Sequence, residues 1–429
     1  MNAERTPLIH PPRAPLAGKH HGSFAFYTIR DRLPVILTRV INDVNQAVFK
    51  LDHERLPDHH TEGKAVIEAL AGLRYQMQRD HPMRPLQDSM PDVEAWNGYL
   101  AAYHPEGVGH FQAPWLTQEC YVYRRIREAF AMTKHWQAYD PFLAEKTSSL
   151  EKSIPVLVKV AQHVDRQSRE VAHWDIVCQE LMLFSLWGNA VDLSLLAGQD
   201  TMDTEGLGKK MIEEGRAGVV VDDLDAAVKD LVAMRGARVD FVLDNAGFEL
   251  TADLFLASWL VATGIAQTVV FHIKAYPWFV SDTTQADFDA TLATLEPHLP
   301  THVASWRALL ASGAWQVRSD PFWTYPHAFH HLPRYPIASE LRKSDFIVFK
   351  GDLNYRKLVF DCKWDVTTPF VEAIGPLRDG GADGLGQFLS LRTCKSDVCV
   401  GLSEEKAMEM EAVDGWMTSG KHAVISYKR

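Results

Sequence analysis

The sequence predicts an α-helical region followed by a Rossmann-like α/β domain, whose mostly parallel sheet is flanked by helices. Three observations carry that reading. From residue 23 to about 200, nearly every patterned segment has the apolar spacing of a helix. Beyond residue 200, short β-branched runs alternate with helical segments, the order expected of a parallel sheet. The chain has 429 residues and is 46% apolar, enough to fill a large core in two or three domains.

Residues 1–22 are rich in Pro, Arg and His and read as a loosely held, flexible tail. Residues 23–200 read as an α-helical domain. Its helices are expected at Val35–Leu51 (with Pro34 in the first turn), Gly63–Arg79, Val93–Tyr103, Thr117–Phe130 and Val171–Leu186. Pro-containing breaks at His81-Pro-Met-Arg-Pro and His104-Pro-Glu-Gly separate some of them. Residues 201–429 read as the Rossmann-like domain carrying the site. Strands are expected at Val239–Leu243, Thr268–Ile273, Phe346–Phe349, Val398–Gly401 and Ala423–Tyr427. The helices between them are Asp223–Met234, Phe248–Thr263, Asp287–Leu295 and Thr301–Ala311.

A formal net charge of −11 and a pI near 5.9 argue against a general nucleic-acid binder and against anionic membranes. They leave room for a small anionic ligand in a local basic pocket. The five cysteines are scattered and form no C-x-x-C pair, so neither a structural zinc site nor a disulfide framework is indicated. No signal peptide or membrane span is evident, and Thr268–Val280 is short and interrupted by His272 and Lys274. A cytoplasmic protein is expected. Nothing in the sequence sets its oligomeric state.

The candidate site starts from Arg238-Val-Asp-Phe-Val-Leu-Asp-Asn-Ala-Gly-Phe-Glu249. A buried strand there ends in an acid and an amide, a turn follows, and a helix opens behind it. Ligands of open α/β sheets sit beyond the carboxyl ends of the strands, and a helix start offers N–H groups to an anion. Asp244 and Asn245 are therefore candidate metal ligands; the plain alternative makes either one an N-cap. Asp282, after the next strand, supplies a second carboxylate, or else caps the turn at Thr283-Thr284. Two carboxylates and an amide oxygen suit a hard divalent cation. The adjacent histidines, His20-His21, His59-His60 and His330-His331 (with His327), lack the helical spacing of a zinc hydrolase and read as solvated surface.

Two loops could grip a phosphate. Lys350-Gly-Asp-Leu-Asn-Tyr-Arg-Lys357 offers Asp352 and Asn354 for hydroxyls and Arg356 for an anion, with Gly351 allowing a close turn. Arg392-Thr-Cys-Lys395 adds Arg392 and Lys395. Either could equally be an ordinary charged surface loop. Asn189 and Asp192, in Trp187-Gly-Asn-Ala-Val-Asp, form a polar break that could face the cleft or merely end a helix. The Gly-rich run 380–386 does not follow a strand as a dinucleotide fingerprint requires and reads as a flexible loop.

Five segments together resemble the damage-control phosphatase family: Phe24-Ala-Phe-Tyr-Thr-Ile-Arg-Asp-Arg-Leu-Pro, Leu186-Trp-Gly-Asn, Leu243-Asp-Asn-Ala-Gly-Phe-Glu, Lys350-Gly-Asp-Leu-Asn-Tyr-Arg-Lys-Leu and Leu391-Arg-Thr-Cys-Lys. The best match is the subfamily with an Arg-Thr-x-Lys motif, also called acidic-residue methyltransferase proteins. The likeness runs from about residue 23 to the C-terminal segment. It implies a helical region packed on an α/β domain and a metal-dependent phosphatase acting on sugar phosphates such as fructose 1-phosphate and related harmful phosphometabolites. It implies Asp244, Asn245 and Asp282 as the metal-holding and catalytic set, with Mn²⁺, Co²⁺, Ni²⁺ or Mg²⁺ as the ion. Substrate contacts carried over by motif are Asp352, Leu353, Asn354, Tyr355, Arg356, Arg392 and Lys395, together with Asn189 and Asp192. Between Arg356 and Arg392 this chain can be longer than its relatives, which leaves the second phosphate loop less firmly placed. Asp244 lacks the second aspartate, two residues on, that marks haloacid-dehalogenase-type phosphatases, so water is the favoured nucleophile. Two alternatives stay open: an S-adenosylmethionine-dependent protein-glutamate carboxyl methyltransferase, and a non-catalytic binding protein.

Overall fold

The computed structural model describes residues 7–52, 54–167, 174–188, 204–379, 381 and 384–429. Seven strands form one sheet: β1 (Val219–Asp222), β2 (Ala237–Val242), β3 (Ala266–Ile273), β4 (Trp315–Ser319), β5 (Phe346–Lys350), β6 (Gln387–Thr393) and β7 (Ala423–Lys428). Their order is β1-β7-β6-β5-β2-β3-β4. β6, β5, β2, β3 and β4 run parallel; β7 is antiparallel to β6, and β1 follows β7. The chain moves outward from β2 through β3 to β4, then returns to place β5 on the other side of β2. That reversal makes the carboxyl ends of β2 and β5 the switch point at which such sheets bind ligands.

The central strands β2 and β5 are buried except at half-buried Arg238, as a sheet covered on both faces requires. Alternate residues feed two cores. Ile347, Phe349, Phe388 and Val424 join one; Phe346, Val348, Leu389 and Ile425 join the other. The first core also contains Leu33, Leu37, Leu70, Leu73, Ile126 and Phe130 of the N-terminal helices Leu33–Phe49, Pro57–Gln78 and Trp115–Ala131. Helices Leu143–Gln167 and Trp174–Trp187 pack instead against the opposite face, with Phe248–Ala262 and Leu224–Val232. Both cores therefore draw residues from either side of residue 200. The change of pattern there marks a change of element type, while the apolar faces of the early helices are completed by the sheet itself.

The N-terminal segment corrects one expectation. Residues 1–6 lie outside the described residues, but beyond them the chain is pinned. The Leu16 N–H donates to the Asp361 carbonyl at 3.1 Å, and the Leu16 carbonyl accepts from the Trp115 N–H at 2.7 Å. Leu16 and Ala17 are buried. Backbone groups that make no local helix or sheet need partners when buried, and here distant segments supply them.

Helix Val93–Tyr103 has the expected bounds, and those at 33–49, 57–78, 115–131 and 248–262 differ from expectation at their ends. Val398–Gly401, expected as a strand, is not one; the strand is β6, earlier in the chain. β6 escaped the periodicity reading because Ser390 and Arg392, both fully buried, interrupt its apolar residues. β1 and β4 were not expected, and the expected loop at 350–357 is the helix Gly351–Leu358. His327, His330 and His331 are buried, not solvated; burial pushes the imidazoles of His330 and His331 down to about 4 and about 3, so all three stay neutral. All five cysteines are free and buried. Among the described residues no helix is long and apolar enough to cross a membrane.

Candidate active site

Past the carboxyl end of β2 the chain runs through Leu243 to Asp244 and Asn245, and past β3 it reaches Asp282. Backbone hydrogen bonds stitch the two segments together. The Thr283 N–H donates to the Asp244 carbonyl and the Ala246 N–H to the Ser281 carbonyl, each at 2.8 Å. Asn245 and Asp282 face each other across an isolated antiparallel bridge. Val280, at φ 71°, and Phe279, at φ 45°, lie in the left-handed region just before Ser281. A β-branched residue there is strained, and the stitching to β2 holds it.

The capping alternatives do not hold. Gly247, at φ 79°, is the N-cap of helix Phe248–Ala262, and no side chain caps it. Thr284 forms a full capping box with Asp287 at the start of helix Gln285–Leu295. Asp244, Asn245 and Asp282 are thus spared local capping duty.

The resulting site is crowded with carboxylates. Burial, then the charges of Asp282 and Glu249, raise the Asp244 carboxyl well above its usual range. Burial also raises Asp282, against the pull of Lys274, whose Nζ sits 3.2 Å from Asp282 Oδ2 and donates to the Leu243 carbonyl at 2.7 Å. Two carboxylates that resist carrying charge together can be relieved by a proton or by a cation. Among the described residues no three His, Cys, Asp or Glu side chains are arranged to hold a metal. A divalent ion here would take the two carboxylates and the Asn245 amide oxygen. That set fits Mg²⁺-like ions, which bind through one or two carboxylates and complete their shell with water and phosphate.

The helix after β5 closes the other side. Gly351 sits at φ +83°, and a Cβ there would lie 1.8 Å from Asp244 Oδ2. Only glycine admits Asp244 at this position. Helix Gly351–Leu358 also begins without a side-chain cap. Two helices with open N–H groups therefore start at the switch point, as an anion site requires.

The expected phosphate and sugar contacts divide sharply. Lys395 is exposed, makes no ion pair among the described residues, and sits where its charge pulls the Asp244 carboxyl down. Arg356 does not offer a free fork. Its Nη1 donates to Glu119, its Nε and Nη2 donate to Asp361, and its guanidinium stacks over Trp115 at 3.7 Å. The requirement to neutralise two buried carboxylates overrides its reading as an anion clamp. Arg392 is likewise fully buried and donates to Asp352, the Val398 carbonyl and Ser396. Asp352 accepts from Arg392 at 2.8 Å and Ser396 at 2.9 Å. Burial opposes its charge, yet Arg392 and Arg356 hold its carboxyl below the usual range. Asn354 spends its amide N–H groups on the Lys350 and Val242 carbonyls, and Leu353 and Tyr355 are core residues. These side chains shape the helix and loop, and of them Asp352 alone stays partly exposed. Asn189 and Asp192 lie outside the described residues.

Glu249, Lys274 and Lys350 were missed by sequence reasoning. Lys350, fully buried, contacts Glu249 at 3.2 Å and Asp253 at 3.0 Å. Burial, with Glu249 nearby and despite Lys350, lifts Asp253 to about 6. The available signal was position: Glu249 opens a helix behind the site, and Lys274 and Lys350 end or follow strands at the switch point.

Residues 28–410 match the family described as "Damage-control phosphatase ARMT1-like domain". Similar proteins include "Damage-control phosphatase ARMT1" of Danio rerio, 37% identical over 97% of this chain and 97% of that protein. The protein of the same description from Homo sapiens is 32% identical, covering 96% of this chain and 98% of its own. A solved DUF89 family protein from Pyrococcus horikoshii aligns over 94% of this chain and 98% of its own, at 13% identity and a TM-score of 0.45.

Proposed function

The chain belongs to the damage-control phosphatase ARMT1-like family, and from that premise we propose that it is a metal-dependent phosphatase hydrolysing small sugar phosphates. The family supports a phosphatase for damaged metabolites; the cation and the sugar phosphate are our reading. The observation that carries it is the stitched pair of carboxylates, half-buried Asp244 and buried Asp282, beside two helix starts that no side chain caps.

Asp244, Asp282 and the Asn245 oxygen would hold the cation. When bound, it supplies positive charge to a phosphoryl oxygen as charge develops there. The protein's own groups do the rest. The first N–H groups of helices Phe248–Ala262 and Gly351–Leu358 point toward the phosphate, and Lys395 holds another of its oxygens from the rim. Asp352, fixed by Arg392 and Ser396, contacts a sugar hydroxyl. Lys274 keeps Asp282 in place and partly neutralised, and the attacking group is a water.

Phosphate release from a panel of sugar phosphates, with chelator or with added Mn²⁺, Co²⁺, Ni²⁺ or Mg²⁺, tests this. Metal-dependent release that disappears in Asp244→Ala is expected. Release unaffected by chelator would overturn the metal role. No release, but methyl transfer to protein carboxylates, would reinstate the methyltransferase alternative.

A further inference from the structure

Asn245 can ligate a cation only through Oδ1, so its amide must be turned the right way. A primary amide is nearly symmetric in shape, and its orientation is set by its neighbours' hydrogen-bonding character. Here Nδ2 donates to Asp244 Oδ2 at 3.1 Å and to Glu249 Oε2 at 2.8 Å, while Oδ1 accepts from the Ser281 hydroxyl. The reverse orientation would set Oδ1 against two carboxylate oxygens. We infer that Glu249 is a positioning residue that locks the Asn245 amide with its oxygen turned toward the Ser281–Asp282 segment and hence toward the cation. The inference rests on the metal reading proposed above.

Glu249 is suited to this because both of its oxygens meet donors. Oε2 accepts from Asn245, and Oε1 from Lys350 Nζ at 3.2 Å. Only an ionised carboxylate accepts on both sides; a glutamine would present an N–H to one of the two donors. Lys350 is in turn anchored by Asp253, so Glu249 is held from below by a buried network and presents one oxygen upward. Its side chain is 16% exposed, so it is not sealed in the core as Lys350 and Asp253 are. Groups that orient metal ligands in this way commonly change metal affinity by about 10–100-fold when removed.

The test is Mn²⁺ binding followed by electron paramagnetic resonance, without substrate, on the full chain. Asp244→Ala tests the metal reading itself: binding equal to wild type would sink that reading and this inference with it. With that control lost as expected, Glu249→Gln should weaken Mn²⁺ binding about tenfold or more. In an Asn245→Ala background the same change should have no further effect, because no amide remains to be turned. A through-space charge effect would instead weaken binding equally in both backgrounds, and that result, or wild-type affinity in Glu249→Gln, overturns the inference while leaving the metal reading intact. If Glu249→Gln fails to fold by circular dichroism, Ser281→Ala reports on the other side of the amide. It should weaken Mn²⁺ binding only when Asn245 is present, and equal loss in both backgrounds overturns the orientation argument.

Discussion

Gly351 and Asp244 approach so closely that a Cβ on the glycine would lie 1.8 Å from Asp244 Oδ2. Gly351→Ala therefore meets two obstacles: a left-handed φ costing about 1–2 kcal/mol, and an overlap relieved only by swinging Asp244 away. The expected result is a fall in metal-dependent phosphate release of about a hundredfold, as misplacement by an ångström can produce. Thermal unfolding should show a modest loss. Near wild-type turnover would mean that Asp244 does not need its observed place.

Removing the charge of Asp244 separates stability from function. Its carboxyl is raised by burial and by Asp282, so the folded state favours the protonated form. The sign follows: the folded state holds this proton more tightly than the unfolded state does. The stability it lends is therefore full below the unfolded value of about 3.9 and is lost as pH rises through the folded value. At neutral pH with chelator, Asp244→Asn should melt higher than wild type. Added Mn²⁺ should raise only the wild-type midpoint, since a ligand stabilises only the state that binds it. A variant that melts lower in chelator would show that the carboxylate is compensated within the protein.

Lys395 and Arg356, both basic and both near the site, should behave oppositely. Lys395→Ala removes an exposed side chain and should leave stability within about 0.5 kcal/mol. Its KM for a sugar phosphate should rise about 10–100-fold, from ~1.5–3 kcal/mol for a hydrogen bond to a charged group. Arg356→Ala leaves Glu119 and Asp361 buried without their partner and should cost about 3–5 kcal/mol in denaturant unfolding. Equal effects on stability would refute the division.

Lys357 gives a pH signature. Burial lowers its ammonium to about 8, with Nζ donating to the Trp323 and Tyr325 carbonyls. Below pH 8 both folded and unfolded states are protonated. Between about 8 and about 10.4 only the unfolded state holds the proton, so this group adds stability as pH rises. The melting temperature of wild type minus that of Lys357→Met should grow across that window. A constant difference would show that Lys357 does not titrate there.

Much of this was legible in the chain itself. A run such as Phe346-Ile-Val-Phe is buried on both faces wherever it sits, so its strand character needs no partner to be recognised. Asp244-Asn245 at the end of one such run, and Asp282 beyond the next, could be singled out because strand ends in parallel sheets are where ligands bind. Position in the motif also named Lys395.

Burial partners were not legible. Arg356 and Lys395 are both basic residues near the site, yet one is consumed by Glu119, 237 residues away, and the other stands in solvent. No local pattern distinguishes them, because neutralising a buried charge depends on which distant carboxylate the fold delivers. Residues 7–22 looked loose for the same reason: their hydrogen-bond partners, at Trp115 and Asp361, lie far along the chain. By itself the sequence determined the central strands β2, β3 and β5 and most of the helices, the placing of acids and amide at strand ends, and the family. The tertiary structure alone decided that Asp244 and Asp282 meet, that Gly351 makes room for one of them, and that Glu249 faces Asn245. Those outcomes depend on strand order and loop stitching, which bring together residues that local propensity cannot relate.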